Sequence, residues 1–236
     1  MTFKKRYYLS LDFPSEGDIF LEGSEHQHLK NVMRSRVNDE VELVNGCGGI
    51  AEATIIEIER HATRLRVTSS FCEEPLPTKL CLVQSLIKSS RLDIVLEKAT
   101  ELGVETIYLW PSVRSEQKLP SSKLMERMKG IIVSALKQSR RLFLPKLEIL
   151  ESLEVLPKQE AVFFGDLGNQ ALLLSEVFDK TSSSIAFVVG PEGGLTEEED
   201  IQLNSIGAQG VKINDNILRS ETASIAALSI LYYLKM

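Results

Sequence analysis

The chain lacks the features that would mark it for export or for a membrane. It has no apolar run near the roughly 20 residues that cross a bilayer. Its first residues, MTFKKRYYLSLDFP, hold neither a sustained apolar region nor a small-residue cleavage site, so we expect no signal peptide. The cysteines form no CxxC pair, which favours free, buried thiols over disulfides: Cys47, Cys72 and Cys81. These absences predict a cytoplasmic protein.

Two kinds of ligand site are also missing from the sequence. Nothing matches the phosphate-binding pattern GxxxxGK[ST], and no GxGxxG follows the first strand of a βαβ unit. His26 and His28 fall on a predicted helix, where positions i and i+2 do not share a face, and His61 is the one other histidine. We therefore expect neither of these nucleotide-phosphate sites and no metal site.

The charge is distributed unevenly along an acidic chain of net charge −6. Residues 1–150 carry 22 Lys and Arg against 20 Asp and Glu, whereas residues 151–236 carry 5 against 13. A slightly basic N-terminal segment joined to an acidic C-terminal segment is typical of a protein that binds a polyanion with its N-terminal segment. Chance variation along an acidic chain is the alternative interpretation.

Residues 1–72 predict a small β-barrel with one helical insertion. The runs RYYLSL, DIFL, DEVELV, GIAEATIIEI and TRLRVTSS alternate or favour β-branched residues, and Asn45-Gly46 predicts a turn between two of them. Ser24 and Gln27 form a capping-box pattern at the start of a predicted helix, SEHQHLKNVMR. The prolines of EEPLP, residues 73–77, forbid regular ladder pairing and predict a linker.

Residues 78–236 predict a second domain of the α/β class, built on a mainly parallel sheet. Strand patterns alternate with helix patterns here. The predicted strands are LCLVQSLI, VETIYLW, AVFFGD, SIAFVVG and GVKIN. The predicted helices are RLDIVLEKATELG, SSKLMERMKGIIVSALKQSRR and segments near 171–178, 197–206 and 221–234.

The stretch VVGPEGGLTEEED joins a predicted strand to a predicted helix through a glycine-rich turn. Its glycines permit positive φ and close backbone approach to a ligand. Thr196 and Glu199 form a capping box, so the helix start is satisfied by its own side chains, and the acidic residues 197–200 repel phosphate. The stretch predicts a site for a ligand that lacks phosphate and is cationic or neutral. A tight turn without a ligand is the alternative.

The stretch NDNILRSETASIAALSILYYL predicts a long helix that begins near Glu221. The helix is apolar nearly all round, which is typical of burial in a core or against a second subunit. Arg219 precedes it directly. One interpretation is an exposed Arg219–Glu221 ion pair with Ser220 or Thr222 as the helix cap.

Taken together, GPEGGLTEEE and the later ILRSETA resemble the RsmE family of ribosomal RNA methyltransferases, in the SPOUT superfamily. Further similar blocks are HLKNVMRSRVNDEVELVNGCG, KSSRLDIVLEKATELGV, VRS and ALKQSRRLFLP, in the family's order. The resemblance implies a PUA-like RNA-binding barrel, a C-terminal domain with a trefoil knot, and a homodimer. It also implies S-adenosylmethionine as methyl donor and N3 of one uridine in small-subunit (16S) ribosomal RNA as target, in an assembled or nearly assembled subunit.

The resemblance also implies roles for single residues. Arg219 stabilises the anion that develops on the base, because an arginine is a poor general base. Glu221 or water takes the uridine proton. The cofactor is expected among Phe164, Gly165, Val189, Gly190, Glu192, Gly193, Ile213, Asn214, Ile217 and Leu218.

Basic residues, mostly of the front half of the chain, predict an RNA footprint: Arg6, Lys30, Arg34, Arg36, Lys88, Arg114, Arg140 and Arg141. The alternative for each of them is a solvated surface charge.

The chain departs from the family pattern at two places. Asn214 and Asn216 replace the usual glycine and basic residue before Ile-Leu-Arg, and Asn is expected to keep a left-handed backbone conformation there. KSSR replaces the usual Lys-Gly-Asp-Arg or Lys, with Lys88 and Arg91 retained. A non-catalytic RNA-binding or ribosome-assembly factor is the main alternative function. An enzyme that methylates ribose or transfer RNA is a third, which the barrel ahead of the knot disfavours.

Overall fold

A computed structural model describes residues 4–115, 117, 119–166, 168 and 171–236 of the chain. Its contacts divide the chain into two compact units. Unit 1 comprises Met1–Pro75 and Leu136–Leu144, and unit 2 comprises Leu76–Ala135 and Pro145–Met236. The segment Leu136–Leu144 therefore belongs to the first unit, although the sequence pattern places it in the second domain.

Unit 1 is built on a β-sheet whose strands alternate buried and exposed side chains. The strands are β1 (Lys5–Tyr8), β2 (Gly17–Glu22), β3 (Glu40–Val44), β4 (Gly49–Ile58) and β5 (Ala62–Cys72). They neighbour one another in the order β1-β3-β4-β5-β2, with β1 parallel to β3 and the other pairs antiparallel. Their inward side chains form the core, which includes Tyr7, Leu21, Leu43, Ile55 and Leu65. The predicted strands of this region are confirmed.

A short helix, α1 (Gly23–Gln27), follows β2 and continues as a π-helical turn over His28–Val32. The predicted capping box at Ser24 is wrong: the cap position is Glu22, which makes no side-chain cap hydrogen bond. Gly23, directly after the strand, has a positive φ of 58°, a conformation that glycine adopts readily. His26 is fully buried, and its Nδ1 lies 2.8 Å from Thr63 Oγ1, so it is a core histidine.

The segment Leu136–Leu144 is tied to unit 1 by backbone hydrogen bonds. The Leu144 N–H donates to the Gly46 carbonyl at 2.8 Å, and the Gly48 N–H donates to the Leu142 carbonyl at 3.1 Å. Leu142 packs in one apolar cluster with Val44. Because backbone pairing carries no side-chain pattern, hydrophobic periodicity could not reveal this assignment.

Unit 2 contains a parallel sheet. Its strands are β6 (Lys79–Ser85), β7 (Thr106–Trp110), β8 (Lys146–Ile149), β9 (Ala161–Gly165), β10 (Ser184–Val189) and β11 (Gln209–Val211). They lie in the order β11-β9-β10-β6-β7-β8, and each neighbouring pair is parallel. The sequence pattern misses β8 because KLEI is a short edge strand with mostly exposed side chains.

Helices connect these strands, as the α/β prediction requires. They are α2 (Ser89–Glu101), α3 (Ser122–Gln138), α4 (Leu174–Val177), α5 (Glu197–Ser205) and α6 (Ser220–Lys235). Helix α2 buries Leu92, Val95, Leu96 and Ala99 and ends before Gly103, whose φ is +86°. Within the described ranges, no helix is both long and apolar enough to cross a membrane.

Helix α6 is buried on one side only. Ser224, Ala227 and Leu228 face the interior of unit 2, whereas Tyr232 and Tyr233 are 49% and 77% exposed. Unit 2 therefore covers only one face of this helix, although its sequence is apolar nearly all round.

The prediction of buried thiols holds for one cysteine. Cys81 is 4% exposed on β6, while Cys47 and Cys72 are exposed. Burial, together with the nearby Glu105 carboxylate, raises the pKa of the Cys81 thiol to about 11. Cys47 lies between β3 and β4, and Cys72 is the last residue of β5.

We expect a disulfide reagent at mildly alkaline pH to modify Cys47 and Cys72 in the native protein and Cys81 only after unfolding, because the thiolate is the nucleophile. Absorbance of the released thiol counts the sites with and without guanidinium. A Cys81→Ser variant should give the same count in both conditions. Rapid modification of Cys81 in the native protein would contradict the expectation.

Candidate functional site

A cavity of about 660 Å³ opens at the carboxyl ends of β9, β10 and β11. Parallel strands end at one edge of a sheet, so the loops that follow them meet there. In this sheet Phe164 lies opposite Val188, and Gly210 lies opposite Phe164. The volume suits a small-molecule ligand.

Most of the residues predicted to hold a cofactor line this cavity: Phe164, Gly165, Val189, Gly190, Glu192, Ile213, Asn214, Ile217 and Leu218. Arg219 lines it as well, whereas Gly193 lies in the same loop outside the lining. The structure also brings in residues that the sequence analysis did not assign to the cofactor: Arg91, Asp166, Leu195 and Asp200. Leu195 and Asp200 lie close to GPEGG in the sequence and Asp166 directly follows Gly165, but no local signal marked Arg91 as a cavity residue.

The glycines of the GPEGG loop serve different purposes. Gly194 has a positive φ of 74°. A Cβ at Gly190 would lie 2.8 Å from the Leu195 side chain, and one at Gly193 would lie 3.3 Å from Arg114 Cβ. Close packing therefore requires glycine at positions 190 and 193, and backbone conformation favours glycine at position 194.

Glu199 holds two loops at the cavity with one buried carboxylate. It is 3% exposed. Its Oε2 accepts the Thr196 N–H at 2.8 Å, which with the Thr196 hydroxyl completes the predicted capping box of α5. Its Oε1 accepts the Val113 N–H, also at 2.8 Å, from the loop after β7. The start of α5 and the loop around Val113 are thus joined.

Arg114 strengthens the same connection. Its Nη1 donates to the Gly193 carbonyl at 3.0 Å and to the Leu195 carbonyl at 2.8 Å. The sequence predicts that Arg114 binds RNA; the structure places its exposed guanidinium on the GPEGG loop. A guanidinium that spans two carbonyl groups fixes their relative positions.

Arg91 joins the two motifs at the rim of the cavity. It forms an ion pair with Glu192 of the GPEGG loop, and its Nε lies 3.5 Å from Glu221 Oε1 at the start of α6. The alternative Arg219–Glu221 pair is therefore wrong. In the described part of the chain, no carboxylate forms an ion pair with Arg219, which is exposed and lines the cavity. The helix begins at Ser220 without a side-chain cap.

The loop before Arg219 does not use left-handed asparagines. Among the described residues, neither Asn214 nor Asn216 has a positive φ, so that prediction is wrong. Asn214 Oδ1 instead accepts the Asn216 N–H at 2.8 Å. Such a side-chain turn gives the loop its reversal without the conformation that glycine favours.

One wall of the cavity is electronegative. Burial raises the pKa of the Asp200 carboxyl, and the nearby Asp166 and Glu199 carboxylates raise it further, whereas Arg114 lowers it. A cationic group in the cavity would stabilise these carboxylates in their ionised form.

The residues predicted to bind RNA divide into two groups in unit 1. Arg6 is 6% exposed, forms an ion pair with Glu42, and donates to the Arg141 carbonyl at 3.2 Å. Arg140 Nη1 lies 3.5 Å from the same Glu42. The fold thus brings Arg6, Arg140 and Arg141 together although they are far apart in sequence.

The second group, Lys30, Arg34 and Arg36, is exposed on and after the π-helical turn. Arg34 has a positive φ of 47°, and the neighbouring Val32 is 65% exposed. In unit 2, Lys88 is exposed at the cap of α2 and does not line the cavity.

Comparisons with known proteins are consistent with this arrangement. A family model described as "RNA methyltransferase domain" matches residues 74–232, and one described as "RNA methyltransferase PUA domain" matches residues 21–67. The chain is 28% identical to ribosomal RNA small subunit methyltransferase E of Mycobacterium bovis, over 88% of this chain and 83% of that protein.

Two solved structures are similar over 98% of both chains. One is ribosomal RNA small subunit methyltransferase E of Neisseria gonorrhoeae bound to S-adenosylmethionine, with 31% identity and a TM-score of 0.89. The other is a Legionella pneumophila protein in complex with the same cofactor, with 25% identity and a TM-score of 0.92.

We expect Glu199→Ala to lower the free energy of unfolding by about 2–4 kcal/mol, because it removes a buried carboxylate that accepts two backbone N–H groups, those of Thr196 and Val113. Urea unfolding measures the change. Glu198→Ala, on the exposed side of the same helical turn, is the matched control and should cost a few tenths of a kcal/mol. Equal effects of the two variants would contradict the role given to Glu199.

Proposed function

Since this chain belongs to the ribosomal RNA small subunit methyltransferase E family, we propose that it transfers a methyl group from S-adenosylmethionine to N3 of one uridine in small-subunit ribosomal RNA. The observation that carries the proposal is the cavity where the GPEGG loop and the Arg219 loop meet. The cavity combines a ligand-sized volume with one exposed arginine at its edge.

The residues present fit S-adenosylmethionine. The start of α5, which could otherwise receive a phosphate, is already occupied by the side chains of Thr196 and Glu199. The acidic wall at Asp166 and Asp200 suits a cation without phosphate. Backbone groups of Gly165, Gly190 and the 213–218 loop would hold the adenosine, with Phe164, Ile213 and Leu218 as apolar walls.

The bound cofactor supplies an electrophilic methyl group on a sulfonium. Residues of the chain stabilise the developing charge and accept the proton. Arg219 stabilises the negative charge that develops on the uracil ring, which an arginine can do because it stays charged at all working pH values. Its freedom from ion pairs within the described residues supports this role.

The uridine N3 proton passes to Glu221 or to water. Glu221 does not line the cavity, but its Oε2 is buried without a hydrogen-bond partner in the described part of the chain and can accept a proton. Its Oε1 faces Arg91. Arg91 would then orient the carboxylate and join it to the loop that carries Glu192.

Residues 1–72, with Leu136–Leu144 of the same unit, form the RNA-binding domain of this proposal, and the rest of residues 78–236 forms the methyltransferase domain. Lys30, Arg34 and Arg36 supply exposed positive charge for phosphates. Arg140, Arg141 and Lys88 belong to the same footprint. Arg6 does not, because its side chain is 6% exposed and paired with Glu42.

Finer features are part of the proposal too. Two of them concern the fold: closure of the unit 1 sheet into a barrel and a trefoil knot in unit 2. The others are a homodimer, a cytoplasmic location, and an assembled or nearly assembled small subunit as the substrate. The exposed Tyr232 and Tyr233 on α6 support a second copy as the cover of that helix.

We expect the wild-type protein to add one N3-methyluridine to small subunits from a strain that lacks it, and Arg219→Ala to lose most of this activity while still binding S-adenosylmethionine. Removal of one charge-stabilising group costs about 100- to 1000-fold in rate. Mass spectrometry of digested RNA measures the product, and calorimetry measures cofactor binding. Arg127→Ala, an exposed arginine on α3, is the control.

Wild-type turnover by Arg219→Ala would contradict the role of Arg219 in stabilising charge on the uracil ring. No product from the wild-type protein, or no binding of the cofactor by it, would support a non-catalytic assembly factor instead.

We expect Arg34→Ala combined with Arg36→Ala to weaken RNA binding and to reduce the slope of log affinity against log salt concentration by about 1–2, since each phosphate contact contributes roughly 0.7–0.9 to that slope. Fluorescence anisotropy over a salt series measures it. Arg66→Ala is the matched control, because Arg66 already pairs with Asp18 in the same unit. An unchanged slope in the double variant would remove both arginines from the footprint.

A further inference from the structure

Gln84 is a fully buried polar side chain near the carboxyl end of β6, and the proposed chemistry gives it no role. It lies opposite Val189, the last residue of β10 before the GPEGG loop. A buried amide costs free energy unless its hydrogen-bonding groups are paired. Its partners therefore indicate what it does.

Both hydrogens and the oxygen of the Gln84 amide are paired. Nε2 donates to the Ser85 carbonyl and to Ser220 Oγ, each at 3.0 Å. Oε1 accepts from the Ser224 hydroxyl. Ser220 Oγ donates its single hydrogen to the Gly190 carbonyl at 2.9 Å. The bonds form a directional chain from Gln84 through Ser220 to Gly190, because a hydroxyl that donates to a carbonyl must accept from the amide N–H.

This chain of bonds connects three segments that meet at the cavity. Gln84 lies on the sheet, Gly190 begins the GPEGG loop, and Ser220 begins α6 directly after Arg219. A Cβ at Gly190 would lie 2.8 Å from Leu195, so the loop is already packed tightly at this point. The Gly190 carbonyl therefore serves as a fixed anchor for the start of α6.

We infer that Gln84 is a positioning residue for methyl transfer: through Ser220 it sets where Arg219 lies relative to the loop that holds the cofactor. The inference rests on the proposed function. Gln84 does not line the cavity and acts through Ser220. Positioning matters because a displacement of about 1 Å in an active site can cost roughly 100-fold in rate.

The test uses Gln84→Met, which keeps the length of the side chain and removes its hydrogen bonds, together with Ser220→Ala and the double variant. We expect each single variant to lower kcat about 10- to 100-fold at saturating RNA and cofactor. The double variant should be no slower than the slower single variant, because both substitutions break the same chain of bonds. Rates are divided by the concentration of sites that bind S-adenosylmethionine, so that misfolded protein does not count.

Thr100→Val is the matched control. It removes a fully buried hydroxyl on α2 that donates to the Leu96 carbonyl within its own helix. It should lower the thermal midpoint and leave kcat unchanged, which is the result of a purely structural loss. If Gln84→Met does not fold, Ser220→Ala alone decides, since it deletes one oxygen atom.

A kcat within about twofold of wild type in the folded variants, or fully additive losses in the double variant, would overturn the inference. Failure of the wild-type protein to methylate RNA would overturn the proposed function instead, so the two failures are distinguishable.

Discussion

The parallel register of β9, β10 and β6 is the constraint on which the site depends. Because these strands run in one direction, their carboxyl ends lie at one edge, with Phe164 opposite Val188 and Val189 opposite Gln84. The loops that follow β9 and β10 must then converge at that edge. Helix α6 starts at the same place because Ser220 bonds to the Gly190 carbonyl. The direction of the strands therefore determines where the cavity lies, and no single side chain does.

Buried polar groups, in addition to apolar packing, hold these loops in place. Glu199 accepts two backbone N–H groups from different loops, and Gln84 bonds to two residues of α6 besides its own strand. A hydrogen bond has a direction, so it fixes orientation as well as proximity, and a buried polar group left unpaired costs about 1–3 kcal/mol. Such groups make alternative loop positions expensive, as a site that must align two reacting molecules requires.

The dense acidity of the TEEED segment has two separate uses. Glu199 is structural and buried, whereas Asp200 faces the cavity together with Asp166. At the rim lie two arginines: Arg91, which is paired by Glu192 and Glu221, and Arg219, which forms no ion pair within the described residues. This division leaves a negative wall for a cationic cofactor and one arginine available for a developing anion. A phosphate-binding loop would need the reverse arrangement.

The sequence by itself determined most of the element types, the capping box of α5, the division into a β-rich and an α/β part, and, through GPEGG and ILRSETA, the family. These features depend on periodicity and on contacts between residues a few positions apart, which a linear pattern records. Only the tertiary structure decided that Arg114 bonds to carbonyls about 80 residues away, that Glu221 pairs with Arg91, that Leu136–Leu144 joins unit 1, and that Gln84 reaches Ser220. Those partners are set by strand order and loop convergence, and neither is encoded in the neighbourhood of the residues concerned.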